Sequence, residues 1–210
     1  MRGLLLKDIL NLKRLAKQYL VILVVMFVWG AFMKNASFVT MYVALCGSMV
    51  VLTSFSYDEY AHFEKYALTM PVTRDTLVKE KYLLLLMLVG GGTVLGIGLG
   101  AVLAVILRES VLELAVSGAV IGAVFLVVYS VVVPLIYKMG VEKARMCMVG
   151  IYIGLFALIF GTLKLVQLGK GIELPGHLNI LLPIAGILVM VAVVIGSFRI
   201  SLGIVRKKEW

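Results

Sequence analysis

The sequence predicts an all-α, polytopic membrane protein with six transmembrane helices, an N-terminal amphipathic interfacial helix and a short cytoplasmic helix between spans two and three. Three observations carry this. The 210 residues are 62% hydrophobic with a mean hydropathy of +1.11, whereas soluble domains run about 45–50% apolar. Six stretches are long and apolar enough to cross a bilayer core, which needs about 20 residues as helix. Lysine and arginine are distributed one-sidedly between the segments that join those stretches.

The first element is MRGLLLKDILNLKRLAKQYL. Leu5, Ile9, Leu12 and Ala16 recur at helical spacing, while Lys7, Asn11, Arg14 and Gln18 repeat that spacing on another face. Such a helix over 1–18 lies in the interface with its cationic side in the headgroups, and is expected to turn into the first span at Tyr19. Its mixed charge lacks the basic, apolar, small-residue order of a cleavable signal. The spans follow at 19–33, 37–56, 82–107, 114–137, 146–168 and 179–198. Lys34 and Asn35 are the polar break between the first two, and Arg108–Ser110 separates the third from the fourth.

Six spans place both termini on one side. With the termini inside, sixteen of the 20 basic residues are cytoplasmic, leaving Lys34, Arg108, Lys164 and Lys170 outside. That bias orients the chain with both ends in the cytoplasm of a cell (plasma) membrane. The net charge of +9 is then charge lying against anionic headgroups, and no nucleic-acid partner is needed to explain it.

The exception to the apolar pattern is YDEYAHFEKYALTMPVTRDTLVKEKY, residues 57–82, with nine charges: Asp58, Glu59, Glu64, Lys65, Arg74, Asp75, Lys79, Glu80 and Lys81. Tyr57 to Thr69 can form a helix in which Tyr60, Phe63 and Ala67 share a face. Asp58 and Glu59 suit its first turn, where the helix dipole favours carboxylates. Pro71 blocks continuation and biases Met70 away from helical dihedrals. Thr73 or Asp75 caps the next helix. A continuous helix from Asp75 to Leu107 measures about 50 Å against a core of about 30 Å, so its excess stands in the cytoplasm. A solvated loop has no need of Tyr57, Tyr60, Phe63, Tyr66, Met70 and Val72 beside its charges. Rigid aromatic side chains on a projecting helix suit docking to a soluble partner.

FEKYALTMPVTRDTLVKEKYLL, following DEY, resembles the intracellular segment of ABC-2-type permeases, the six-span membrane subunits of bacterial ATP-binding-cassette exporters. The matching features are the acidic pair Asp58 and Glu59, the aromatics Phe63 and Tyr66, the turn Met70-Pro71-Val72-Thr73-Arg74, and Lys81-Tyr82 leading into span three. Methionine stands for the usual leucine and threonine for serine. Within the family the chain looks like permeases of Gram-positive exporters of phenol-soluble modulins and related amphipathic peptides. The resemblance implies one permease domain over 1–210, with 57–75 as a coupling helix seated in a separate ATPase subunit. Asp58, Glu59, Tyr60, Phe63, Glu64, Tyr66, Met70, Pro71, Val72 and Arg74 would form that interface, with Asp58, Glu59 and Arg74 giving its charge contacts. It also implies a second permease copy or paralogue, and export of a hydrophobic or amphipathic solute. ATP and Mg would be bound by the partner ATPase. The chain has no G-x-x-x-x-G-K-[ST] of its own, so no cofactor is expected in it.

Gly92, Gly96 and Gly100 stand four apart within GGGTVLGIGLG, residues 90–100. This stripe permits close helix packing, or a hinge for alternating access. Glu109 and Glu113 read as solvated carboxylates at the outer edge, and Lys164 as snorkelling to the outer interface. LGKGIELPGHLN, residues 168–179, fits a re-entrant turn. Cys46 and Cys147 read as small buried hydrophobes. His62 and His177 are lone histidines on opposite sides, so neither a metal site nor a catalytic constellation is expected. The spans lack midplane Asp and Glu, which speaks against an ion-driven carrier. The surviving alternative to a permease is a non-transporting membrane scaffold or immunity protein.

Overall fold

The computed structural model describes residues 2–67, 69, 73–168 and 178–207. Within these, the side chains of 2, 14, 64, 65, 155, 158–168 and 178–185 lie outside the description. Seven α-helices account for nearly all of it: α1 (Arg2–Phe32), α2 (Ala36–Tyr60), α3 (Phe63–Ala67), α4 (Arg74–Leu107), α5 (Val111–Met139), α6 (Val141–Leu168) and α7 (Leu178–Lys207). Among the described residues five helices are long and apolar enough to cross a membrane by length and composition: α1 from Leu15, α2, α4, α5, and α7 from Gly186. The expected re-entrant turn at 168–179 and Lys164 lie outside the described residues and side chains.

Two expectations need correction. α1 runs 31 residues without a turn at Tyr19. From Leu4 to Trp29 it contains neither glycine nor proline, so nothing local interrupts the hydrogen-bond ladder and helix propagation wins. The helix expected over 57–69 is also divided. α2 continues through Tyr60, Ala61 caps it, and His62 adopts a left-handed φ of 47° while its N–H donates to the Glu59 carbonyl. Only then does the five-residue α3 begin.

The connections are tight. Lys34 and Arg108 take left-handed φ values of 50° and 60°. Asn35 N–H then bonds the Gly30 carbonyl, and Glu109 N–H that of Ala104, the six-to-one bond of a Schellman ending. Asn35, Thr73 and Ser110 cap α2, α4 and α5 by accepting from the N–H groups of Phe38, Thr76 and Glu113. Glu109, although exposed, also accepts from Ala36 N–H at 3.3 Å, across the same end of the bundle.

The centre of the bundle is α2, α4 and α5. A Cβ added to Gly96 would lie 2.8 Å from the Thr40 carbonyl oxygen, and one on Gly92 3.2 Å from the Gly47 Cα. The two backbones therefore touch along the glycine-bearing face of α4. Thr40 Oγ1 fastens the same seam by donating to the Gly96 carbonyl at 3.1 Å. Phe55, Val78, Leu85, Tyr129, Val132 and Val133 fill the adjoining core. α7 joins through Tyr82, whose hydroxyl bonds Ser197 at 2.5 Å and Ser201 at 2.9 Å while Ser197 donates to the Ser130 carbonyl. Most side chains of the α1 span face outward, which suits a surface bathed in lipid. The cysteines are unpaired and half-buried.

Candidate functional site

The polar end of the bundle is assembled from the first turns of α1, the last turns of α2, α3, and the first turns of α4. Four charges meet there and alternate. Lys7 Nζ is 2.6 Å from Asp58 Oδ1 and 3.0 Å from Asp8 Oδ1. Lys81 Nζ is 2.6 Å from Asp8 Oδ2 and 2.5 Å from Asp58 Oδ2. Each carboxylate thus gives one oxygen to each lysine, closing a ring across α1, α2 and α4. Ser54 completes it, donating to Asp8 Oδ2 and accepting from Lys81, both at 2.9 Å. Lys81 thereby places all three of its ammonium protons. Asp8, Asp58 and Lys81 are buried, and the Lys7 side chain is one-quarter exposed.

Burial raises the Asp8 carboxyl. The charge and hydrogen bond of Lys81, a hydrogen bond from Glu80 and the charge of Lys7 outweigh it and hold the group below its ordinary value. Lys7 has a further partner, since its Nζ stands 3.5 Å from the centroid of the Phe63 ring, a cation–π contact that fixes α3 to α1. Phe63 and Tyr66 rings are 6.5 Å apart.

The sequence-expected residues therefore separate. Asp58, expected as a surface docking charge, is buried in the ring. Glu59 points one oxygen across the bundle to accept the Val141 N–H at 2.6 Å, capping α6. Its other oxygen stands where a Cβ on Gly140 would meet it at 2.8 Å. Arg145 donates to Ser56 Oγ alongside at 2.9 Å. Arg74 donates to the Arg206 carbonyl at 2.8 Å, and Arg206 clasps Asp75 through both its oxygens, at 2.9 and 2.5 Å. Phe63 is half-covered beneath Lys7. Tyr57, Tyr60 and Tyr66 remain exposed, at 40%, 76% and 59%. The Glu64 side chain and Met70, Pro71 and Val72 lie outside the described residues. Gly92, Gly96 and Gly100 are far along α4, against α2.

Sequence reasoning missed Lys7, Asp8, Ser54 and Lys81. One signal was present: Asp8 is the sole acidic residue before Asp58, and at helical spacing it falls beside Leu4, Leu5, Leu12 and Leu15, on the apolar side of α1. The arrangement is a braced platform from which three tyrosines project. Among the described residues no group of three or more His, Cys, Asp or Glu could hold a metal ion.

A family model described as an ABC-2 family transporter protein matches residues 3–206. No curated protein and no solved structure matches the chain.

Proposed function

The chain belongs to the ABC-2 family of transporter proteins, the membrane permeases of ATP-binding-cassette transporters, and from that premise we propose that it exports a hydrophobic or amphipathic solute, with segment 57–75 coupling it to its ATPase partner. The observation that carries this reading is the exposure of Tyr57, Tyr60 and Tyr66 on a base whose charges are satisfied internally. Aromatic side chains held rigidly lose little entropy on docking and are typical anchors of a protein interface. The charge contacts assigned to Asp58, Glu59 and Arg74 are secondary in this reading, because each already has a partner within the chain.

The 34 residues of α4 span about 51 Å as helix, well beyond a core of about 30 Å. Motion imposed on α3 by the partner can therefore enter the membrane along one stiff element and shift the bundle between inward-open and outward-open states. α6, 28 residues long, supplies the sixth span of this reading; an even count puts both termini on one side, and the lysine and arginine bias makes that side the cytoplasm. ATP and Mg belong to the partner. Two permeases, identical or paralogous, make the working unit, and amphipathic peptides of the phenol-soluble-modulin kind are the favoured cargo.

The test is co-expression with a cognate ATPase subunit and co-purification in detergent, with intact chain, Tyr60→Asp and Tyr66→Asp. Retention by the intact chain and loss with the substitutions supports the coupling reading. Binding that survives both moves the contact elsewhere on the chain. Absence of binding by the intact chain favours the scaffold or immunity alternative.

A further inference from the structure

The charge ring has a property that its separate pairs do not. If α4 is withdrawn, Lys7 is left between two carboxylates. If α2 is withdrawn, two lysines share Asp8. Either separation strands a charge in a buried setting, which is strongly unfavourable. Withdrawing α1 differs, because it carries off Lys7 and Asp8, already 3.0 Å apart, and leaves Asp58 and Lys81 at 2.5 Å. Both halves are neutral. Of the five described spans, α1 is also the one with the smallest share buried by its neighbours. Its polar grip at this end is the ring, the hydrogen bond that Glu80 of α4 gives to Asp8 and the Lys7–Phe63 contact.

We infer that the first turns of α1 are a latch on the docking segment: Lys7 and Asp8 position α3 and part from α2 and α4 as a neutral pair during the transport cycle, while Asp58 and Lys81 hold α2 and α4 together throughout. Lys7 is the positioning residue, since it alone touches both α3, through Phe63, and the ring. The transport role rests on the coupling reading above. The separability of α1 rests on the ring.

Spin labels at exposed positions test it: Leu10 on α1, Lys79 on α4 and Met49 on α2. In the permease–ATPase complex, trapping with ATP and vanadate is expected to lengthen the Leu10–Lys79 distance and leave Met49–Lys79 unchanged. An unchanged Leu10–Lys79 distance, or Met49–Lys79 lengthening with it, overturns the latch. Lys7→Met is expected to give the long Leu10–Lys79 distance without nucleotide and to reduce permease-stimulated ATP hydrolysis at least about fivefold, the lower range of coupling between sites. Lys7→Arg, which keeps the cation over Phe63, is expected to restore both. If Lys7→Met and Lys7→Arg behave alike, Lys7 is not the positioning residue. The distance comparison between intact chain and Lys7→Met is also made in detergent without the ATPase. A complex that never forms therefore overturns the coupling reading, while the isolated chain still decides whether α1 is held by the ring.

Discussion

Glu59 Oε2 accepts the backbone N–H of Val141 at 2.6 Å, across 82 residues of sequence. The carboxylate sits at the start of α6, where unpaired N–H groups and the positive end of the helix dipole both favour it. Glu59→Ala is expected to cost on the order of 1–2 kcal/mol, the usual loss of a helix cap. Glu59→Gln keeps an acceptor and is expected to cost less. Chemical denaturation in detergent micelles measures both, and equal stability of all three chains would mean the cap contributes nothing.

Gly140 makes the same contact vulnerable from its other side. Its φ of +86° and ψ of 168° lie in a region nearly confined to glycine, where another residue costs about 1–3 kcal/mol. A Cβ there also lands 2.8 Å from Glu59 Oε1. Gly140→Ala is therefore expected to destabilise more than Glu59→Ala does, and to raise amide hydrogen exchange in the first turn of α6. A silent Gly140→Ala would contradict the backbone geometry.

The charge ring predicts an ordering that ordinary burial does not. Lys81→Met leaves Asp8 and Asp58 sharing Lys7, and removing one partner of a buried pair costs about 3–5 kcal/mol. The double change Lys7→Met/Asp8→Leu removes a neutral pair and leaves Asp58–Lys81 intact. It is expected to cost less than the single substitution, although it alters twice as many residues. Thermal unfolding in detergent checks the order; a double variant weaker than Lys81→Met would show that the four charges do not act as a closed set.

Asp8 gives the ring a pH limit. Its folded carboxyl lies below the ordinary value of 3.8, so its stabilising contribution is complete above the unfolded value and is lost as pH falls through the folded one. The stability gap between Glu80→Gln and Glu80→Gln/Asp8→Asn, a background in which Glu80, pushed up to about 8 by burial and by Asp8, no longer titrates, should stay constant from neutrality down to about pH 5 and narrow only below about pH 4. A gap that closes between pH 5 and 7 would mean the carboxyl is not held down by its lysines.

What the sequence made legible followed from local rules. Apolar runs located the five spans seen among the described residues, Lys34-Asn35 and Arg108–Ser110 marked the joints, and Thr73 was one of the two caps named for α4. The break at His62 escaped notice because histidine is not a conventional helix breaker and its left-handed φ is set by the turn. The turn expected at Tyr19 came from partitioning charge to an interface, but α1 has no breaker there, and Lys7 and Asp8 bind the bundle instead. Positions 7, 8, 58 and 81 could not be joined by spacing, since only packing of α1 against α2 and α4 brings them together. For the same reason a carboxylate such as Asp58 read as a surface charge.

The glycines of α4 divide by face, and that division is testable. Gly96 abuts the Thr40 backbone, where an added Cβ would lie 2.8 Å from the carbonyl oxygen and 3.3 Å from Cα. Backbone atoms cannot swing aside as a side chain can, so Gly96→Ala must push α2 and α4 apart, with an overpacking cost of about 1–3 kcal/mol. Gly90, Gly91 and Gly98 have nothing within 4 Å of an added Cβ, and alanine there lowers backbone freedom without a clash. If the stripe serves packing, Gly96→Ala destabilises the bundle in detergent titration while Gly98→Ala is neutral or stabilising, and transport follows stability. If it serves as a hinge, Gly98→Ala stiffens α4 and slows transport despite unchanged stability. Measuring unfolding and ATP-driven transport on the same two variants separates the roles, because packing depends on which face carries the methyl group and hinge bending depends on the backbone at either position.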